Sequence, residues 1–229
     1  MIHRKLTKQL IDKAIESFLL SIELYNKPTI NYRIESFAIL STNAWELLLK
    51  ARLYEESHGR KLSIFRPKVK NQKRESITLD ECLKSIFPED NNPIRKNIEF
   101  VSELRNESTH LVITEFNPYY SRVFQSGVIN FLNKTSEWFQ IESTNFLPAG
   151  LLALITGEQF PDLEKIRKKY NKEDYASLTN WVQNYEKLQE LGNEAALSIK
   201  HTVAIVKDPS KADYIVSIGE KGDTAIKVV

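Results

Sequence analysis

The chain is poor in the residues that build disulfide and metal sites. Among its 229 residues it has one cysteine, Cys82, and four histidines, His3, His58, His110 and His201. A single cysteine cannot form a disulfide within the chain, and no two histidines have the spacing of a zinc site. The sequence therefore predicts no metal and no cofactor. A lone thiol is also typical of a reducing compartment, so we expect a cytoplasmic protein.

Glycine motifs and long apolar runs are lacking too. No segment matches G-x-x-x-x-G-K-[ST], G-x-G-x-x-G or G-x-S-x-G, so neither a phosphate-binding loop nor a hydrolase elbow is indicated. No apolar run approaches the length of a membrane span, and charges interrupt the N-terminal segment, so no signal peptide is predicted. The net charge is only +2. Any affinity for nucleic acid must therefore come from a local patch.

Helical periodicity dominates the first 140 residues. Apolar residues at helical spacing predict helices over residues 7–25, 31–58, 79–87, 94–112 and 119–139. The middle of the second helix, FAILSTNAWELLLKA, is apolar almost all round, which predicts a central buried helix. Four of these helices are long, which is enough for a helical bundle.

The rest of the chain predicts a helical extension followed by a small β element. Helices are expected over residues 163–170 and 173–191. From about residue 200 the segments HTVAIVK, DYIVSI and TAIKVV have the alternation of strands. We therefore expect a mainly α fold in three parts. These are a bundle (1–140), a helical extension (141–199) and a β-rich element (200–229) that belongs to a second domain or to a longer protein.

The segment IRKNIEFVSELRNESTHLV, residues 94–112, holds the candidate catalytic residues. At about 100° per residue, Arg105 falls on the same stripe as Val101. An arginine on a core-facing stripe is costly unless its charge is paired or used chemically. Asn106 and His110 lie one turn apart on the adjoining face, so both can point into one small volume. The three residues combine a fixed cation, an amide and a side chain that titrates near neutrality.

A second interpretation assigns Arg105 to the interior of the bundle. Asn43, Glu46 and Lys50 fall within about 60° of each other on the second helix. A polar strip on a buried helix needs partners, and Glu46 is a candidate partner for Arg105. In that case the pair is an internal ion pair and His110 is an ordinary surface histidine. The residues alone leave both interpretations open.

A resemblance to a known superfamily favours the catalytic interpretation. RNESTH resembles the R-N-x-x-x-H form of the R-x(4–6)-H motif of the HEPN superfamily (higher eukaryotes and prokaryotes nucleotide-binding domains). YNKPTINYRIESFAILSTNAWELLLKA is similar to the opening of a bacterial family of unassigned function that is placed near HEPN. The resemblance covers residues 5–140 and implies a helical bundle with metal-independent endoribonuclease activity. Arg105 and His110 match the arginine and histidine of the motif, and Asn106 matches its polar residue after the arginine.

The resemblance also implies a mechanism and partners. Attack of an RNA 2′-hydroxyl on the adjacent phosphorus needs a general base and a general acid, and histidine suits both roles. HEPN-like proteins commonly dimerise so that two motifs face one cleft, so we expect a homodimer acting on RNA. By analogy the protein belongs to a toxin or phage-defence system, with an antitoxin or another defence protein as a further partner. The alternative is a non-catalytic module for RNA binding, nucleotide binding or dimerisation.

A basic segment between residues 60 and 74 is the second functional candidate. Pro67 and the lack of periodicity predict a loop, with a short strand at residues 62–65. The segment is either a solvated loop or a guide for RNA phosphates. Its cations are Arg60, Lys61, Arg66, Lys68, Lys70, Lys73 and Arg74. Five aromatic residues are assigned to packing rather than to base stacking, namely Tyr119, Tyr120, Trp45, Trp138 and Trp181.

Overall fold

The computed structural model describes residues 4–68, 74–107, 117–147, 167–168, 172–197, 216–217 and 227–228. The chain divides into two compact units, Met1–Ser198 and Ile199–Val229. The predicted mainly α fold is confirmed, because helices account for most of the described residues of the first unit. Within the described residues, no helix combines the length and the hydropathy needed to span a bilayer.

Six α-helices are described in the first unit, and their limits follow the sequence prediction to within a few residues. The predicted helix 94–112 is described as far as Glu107, since residues 108–116 lie outside the described residues. Most of the predicted helix 163–170 also lies outside them. The helices are α1 (Lys5–Tyr25), α2 (Arg33–Glu56), α3 (Leu79–Ile86), α4 (Pro93–Glu107), α5 (Asn117–Phe139) and α6 (Lys172–Glu190).

The centre of the bundle is α2, as its sequence predicts. It packs against α1, α3, α4 and α5, and Trp45, Leu48 and Leu49 are all buried. Because neighbouring helices cover most of its surface, α2 has apolar residues on several faces, which explains why it has no single hydrophobic stripe. Phe18 of α1 stacks on Phe131 of α5 with ring centroids 4.1 Å apart. This contact closes the core between the outer helices.

Local signals in the sequence fix several helix ends. Thr78 caps α3, since its hydroxyl accepts a hydrogen bond from Glu81 N (3.3 Å) while the Glu81 carboxylate accepts one from Thr78 N (2.7 Å). This reciprocal capping box satisfies two backbone donors. Pro93 is the first residue of α4, where its missing N–H has no helical partner to lose. Gly192, with φ +97°, follows the end of α6.

Buried Arg95 anchors the start of α4. It is 5% exposed and donates to Glu99 Oε1 (2.7 Å), to Asp90 Oδ1 (2.9 Å) and to the Phe87 carbonyl (3.3 Å). Two carboxylates and a carbonyl at the end of α3 therefore compensate a desolvated guanidinium. The hydrogen bond to Glu99 is the main cause that raises the pKa of Arg95 above its ordinary value.

A buried asparagine joins α4 to α5 and to the segment after α6. Asn97 is fully buried, and its Nδ2 donates to the carbonyls of Val123 (2.9 Å) and Ala195 (2.8 Å). Asn130 Nδ2 donates to the Glu194 carbonyl at 2.6 Å. Residues 194–197 are therefore held against the bundle by two asparagine side chains. The helical extension belongs to the same compact unit as the bundle.

The prediction of a short strand at residues 62–65 is wrong for most of that segment. Lys61–Ser63 forms a 3-10 helix instead, and the Phe65 amide bonds the Lys61 carbonyl at 3.0 Å. This local bond tightens the backbone into a turn that a strand cannot accommodate. Only Phe65 makes a β-bridge, with Ser76. We call residues 64–66 and 75–77, which face each other here, the hairpin base.

The second unit contains a pair of short antiparallel strands. They are β1 (Val216–Ser217) and β2 (Lys227–Val228), with Val216 opposite Val228. Both lie within the predicted strand segments DYIVSI and TAIKVV. The segment HTVAIVK lies outside the described residues.

Candidate functional site

A polar cleft of about 590 Å³ opens beside the C-terminal end of α4. One wall is the last part of α4, which contributes Ser102, Arg105 and Asn106. The opposite wall runs from Ser76 in the hairpin base into the first turn of α3, and Glu46 of α2 completes the lining. Three helices and the hairpin base therefore bring side chains from distant parts of the sequence to one place.

Arg105 and Asn106, which are neighbours in the sequence, both line this cleft. Arg105 is half-buried and Asn106 is exposed. The Nε and Nη2 atoms of Arg105 both donate to Asn106 Oδ1, each at 3.2 Å. An acceptor shared by two donors fixes the rotation of the planar guanidinium. The amide Nδ2 of Asn106 then faces away from the guanidinium and adds two further N–H donors at the cleft.

The third predicted catalytic residue, His110, lies outside the described residues. Its distance to Arg105 therefore stays a prediction from the helical spacing. The geometry of the described site rests on the guanidinium and the amide.

Glu46 and Lys50 form an ion pair one turn apart on α2. Lys50 is 6% exposed, and its Nζ also donates to Ser76 Oγ at 2.9 Å. The described ion pair of Glu46 is thus with its own helix rather than with Arg105, the partner suggested by the sequence. Lys50 also ties the hairpin base to α2. Helical spacing did not reveal this structural role.

Asn43 does not belong to this cluster. Its Nδ2 donates to Ser17 Oγ of α1 at 3.1 Å, and the residue is exposed. Because α1 packs against α2, Asn43 has a partner on α1, whereas Glu46 and Lys50 bond each other.

Carboxylates contribute to the cleft, but cations outside its surface compensate several of them. Glu99 is bonded by Arg95 and by Lys96 (both 2.7 Å). Asp80 pairs with Lys84 at 2.8 Å, as Glu46 does with Lys50. These pairs reduce the negative potential that an anion would meet near Arg105.

The basic segment is divided by the structure into two groups. Arg66 lies 3.1 Å from Glu81 and 3.7 Å from Glu75. Arg74 lies over the Phe65 ring, 5.4 Å from its centroid, and donates to the Arg66 carbonyl. Arg66 therefore holds the hairpin base to α3, whereas Arg74 packs against the hairpin base itself. The sequence analysis missed the ion pairs of Arg66 because both acidic partners lie just beyond the basic run. Arg60, Lys61 and Lys68 are exposed, and Lys70 and Lys73 lie outside the described residues.

The aromatic residues after the motif are packing residues, as predicted. Tyr119 and Tyr120 are 8% and 2% exposed. The rings of Trp181 and Tyr185 of α6 lie 4.9 Å from Tyr120 and 4.7 Å from Tyr119, respectively. Burial raises the pKa of Tyr119 and of Tyr185. Edge-to-face contacts of this kind stabilise the docking of α6 on the bundle.

The described part of the chain contains neither an activated cysteine nor a cluster of metal ligands. Burial raises the pKa of the Cys82 thiol to about 12, so the thiolate is not formed near neutral pH. Across the described ranges, no three His, Cys, Asp or Glu side chains converge as metal ligands do. Among the described cleft residues, Arg105 supplies a cation and Asn106 an amide.

Fold and site define a helical-bundle protein with a polar cleft at the C-terminal end of its fourth helix. The chain belongs to the family described as DUF3644, a domain of unknown function, whose model matches residues 9–189. Searches of curated proteins and of solved structures returned no match. The matched range includes the cleft and almost all of α6. The family description names no activity, so function has to be argued from the cleft.

Proposed function

We propose that this protein is a metal-independent endoribonuclease that cleaves RNA through attack of a 2′-hydroxyl group on the adjacent phosphorus. The observation that carries the proposal is the position of Arg105. Its guanidinium is half-buried at the mouth of a cleft and is oriented by Asn106. The motif RNESTH and the helical bundle support the resemblance to the HEPN superfamily.

In this mechanism the base removes the proton of the 2′-hydroxyl, whose oxygen then bonds to phosphorus. The bond from phosphorus to the 5′-oxygen breaks, and the acid protonates that oxygen. The products are a 2′,3′-cyclic phosphate and a 5′-hydroxyl. Arg105 faces the negative charge that builds up on the phosphorane, where a fixed cation is most effective. Asn106 holds Arg105 and offers its own N–H groups to a phosphate oxygen.

His110 takes the acid and base roles in a homodimer. A single histidine cannot be protonated and neutral at the same moment, so two copies of the motif would share one groove. One protomer then supplies the base and its partner supplies the acid. Sedimentation analysis tests this arrangement, and a monomer that still cuts RNA would contradict it.

The activity is tested by incubating the full chain with RNA in the presence of EDTA. We expect fragments that carry 2′,3′-cyclic phosphate ends. His110→Ala should lower the cleavage rate by about 10²–10⁴, the usual contribution of a general acid or base. A substrate with a deoxyribose at the cleavage position should resist cleavage, because it lacks the nucleophile.

Two variants on the chain serve as matched controls. His58 is exposed and distant in sequence from the motif, so His58→Ala should cleave as the wild type does. Arg52 pairs with Glu56 on the surface of α2, and Arg52→Met is the control for Arg105→Met. Cleavage that needs a divalent cation, or that survives the loss of His110, would refute the proposal.

A non-catalytic binding module is the second candidate function. The observation that favours it is that Arg105 and Asn106 of the cleft can bind phosphate, whereas neither side chain can act as a general acid or base near neutral pH. An RNA-binding assay separates the two candidates. RNA that binds and stays intact would favour the module.

The proposal also includes a biological setting. We place the enzyme in the cytoplasm, within a bacterial toxin or phage-defence system, with an antitoxin or another defence protein as a partner. The exposed cations Arg60, Lys61 and Lys68 would guide RNA toward the cleft, together with Lys70 and Lys73. Growth arrest on expression of the wild type, but not of His110→Ala, is the expected result.

A further inference from the structure

The core of the bundle contains a small cavity between α1, α2, α4 and α5. Its volume is about 10 Å³, and all of its lining residues are buried. Most of the lining is apolar and comes from Phe18, Phe37, Trp45, Ile98 and Val101. The polar exceptions are Ser41, Thr42 and Asn97.

Two of these polar side chains carry an atom that has no hydrogen-bond partner among the described residues. Thr42 is 1% exposed and Asn97 is fully buried, yet Thr42 Oγ1 and Asn97 Oδ1 are unpaired. The Nδ2 group of Asn97 is already used by two backbone carbonyls. Such unpaired atoms are rare in protein cores, because burial removes their hydration without replacing it.

The two atoms are chemically complementary. A hydroxyl can donate, whereas the amide oxygen of Asn97 can only accept. Asn97 Oδ1 lies beside Gly127, since a Cβ placed on Gly127 would be 3.0 Å from that oxygen, and both residues line the cavity. Thr42, which has an unpaired donor, and Asn97, which has an unpaired acceptor, therefore border the same space.

We propose that this cavity is a binding site for one structural water molecule. The water accepts a hydrogen bond from the Thr42 hydroxyl and donates one to Asn97 Oδ1. Its second hydrogen is available to Ser41 Oγ. The volume fits a single occupant, because one water needs roughly 10–15 Å³ of such space and typically makes about three hydrogen bonds.

The bound water completes a polar connection across the core. It links Thr42 on α2 to Asn97 on α4, and the Asn97 amide continues the connection to α5 and to the Ala195 carbonyl. Gly127 preserves the space, since any larger residue there would press on Asn97 Oδ1. The water thereby fixes the position of the helix that also carries Arg105.

The site is tested on the full chain by NMR measurement of cross-relaxation between water and protein protons. We expect a cross-peak from a long-lived water to the Asn97 side-chain amide. Thr42→Val keeps the shape of the side chain but removes the hydroxyl, so the cross-peak should be lost. Thr42→Ser retains the donor and should retain the cross-peak.

Gly127→Ala gives an independent measurement. Alanine normally stabilises a helix relative to glycine, so a lower melting temperature would report the loss of space beside Asn97. A crystal structure of the wild type provides the decisive observation that needs no variant. Density for an atom within hydrogen-bond distance of Thr42 and Asn97 would support the site. An empty cavity, or a direct hydrogen bond between Thr42 and Asn97, would overturn it, as would a Thr42→Val protein that keeps the cross-peak.

Discussion

Glu46 and Lys50 form an ion pair, but replacing Glu46 should destabilise the protein more than replacing Lys50. Lys50 is 6% exposed, whereas the Glu46 side chain is 30% exposed. Glu46→Gln removes the negative charge beside a buried ammonium group, whose remaining acceptors, the glutamine amide oxygen and the Ser76 hydroxyl, are uncharged. Lys50→Met instead leaves a carboxylate that water can reach, and it adds an apolar side chain of similar length.

The magnitude follows from these exposures. Breaking a fully buried ion pair by removing one partner costs about 3–5 kcal/mol. Water reaches the Glu46 position and can partly replace the lost carboxylate as a partner of Lys50. We therefore expect Glu46→Gln to lower the free energy of unfolding by about 2–3 kcal/mol. Lys50→Met should change it by less than about 1 kcal/mol, since apolar replacements of buried charges are often neutral.

Urea unfolding followed by tryptophan fluorescence measures both variants. The fluorescence reports the first unit, which contains all three tryptophans, Trp45, Trp138 and Trp181. With a urea dependence of about 1–3 kcal/mol per molar, Glu46→Gln should lower the midpoint by roughly 1 M. Equal losses in the two variants, or a larger loss in Lys50→Met, would refute the reasoning.

Three further predictions concern separate parts of the first unit. Cys82 should resist Ellman's reagent in the folded protein at about pH 8 and react on unfolding, because its thiol is buried and its pKa is about 12. Hydrogen bonds from Thr78, and then from Arg66, lower the pKa of Glu81, so the folded state binds this proton less readily than the unfolded state. The resulting stability should be present above the ordinary carboxyl pKa and be lost as the pH falls through the lowered value. Thr78→Ala removes the hydroxyl but keeps the backbone N–H that is the main cause of the lowered pKa, so it should reduce the pH dependence of the melting temperature between about pH 3 and 6 only in part. Replacing Lys68, Lys70 and Lys73 with glutamine should reduce the salt dependence of RNA binding, whereas an unchanged slope would argue against a phosphate guide.

Helix positions and several helix ends could be predicted from the sequence because both depend on nearby residues. The period of apolar residues located α1, α2 and α5 within a few positions. Thr78 and Pro93 marked the starts of α3 and α4 correctly, since caps act through backbone groups within one turn. These signals do not need a partner from elsewhere in the chain.

Side-chain partners were predicted less well because they depend on which surfaces meet. Asn97 bonds the Ala195 carbonyl, which is 98 positions away, and no spacing rule relates the two. Asn43 shares a helical strip with Glu46 but turns to Ser17, because α1 lies beside it. Helical spacing gives the direction of a side chain from its own axis, whereas its partner is decided by the packing of another element.

Arg95 and Arg105, both on α4, show the same limit of helical spacing. Comparing them also provides a test of the two interpretations of the motif. Spacing placed Arg105 on the core stripe, but the deeply buried arginine is Arg95, which is 5% exposed and bonded by Glu99 and Asp90. Arg105 lies at the end of the helix, where the packed core gives way to the cleft.

The same substitution at both positions should therefore have opposite consequences. Arg95→Met leaves the half-buried carboxylate of Glu99 without its main partner and should lower the free energy of unfolding by about 2–4 kcal/mol, while its effect on RNA follows only from instability. Arg105→Met should leave the urea midpoint close to that of the wild type and abolish cleavage. If Arg105→Met instead unfolds the protein as readily as Arg95→Met, its charge is needed for packing. The guanidinium would then be a scaffold, and the argument for a nuclease would lose its central residue.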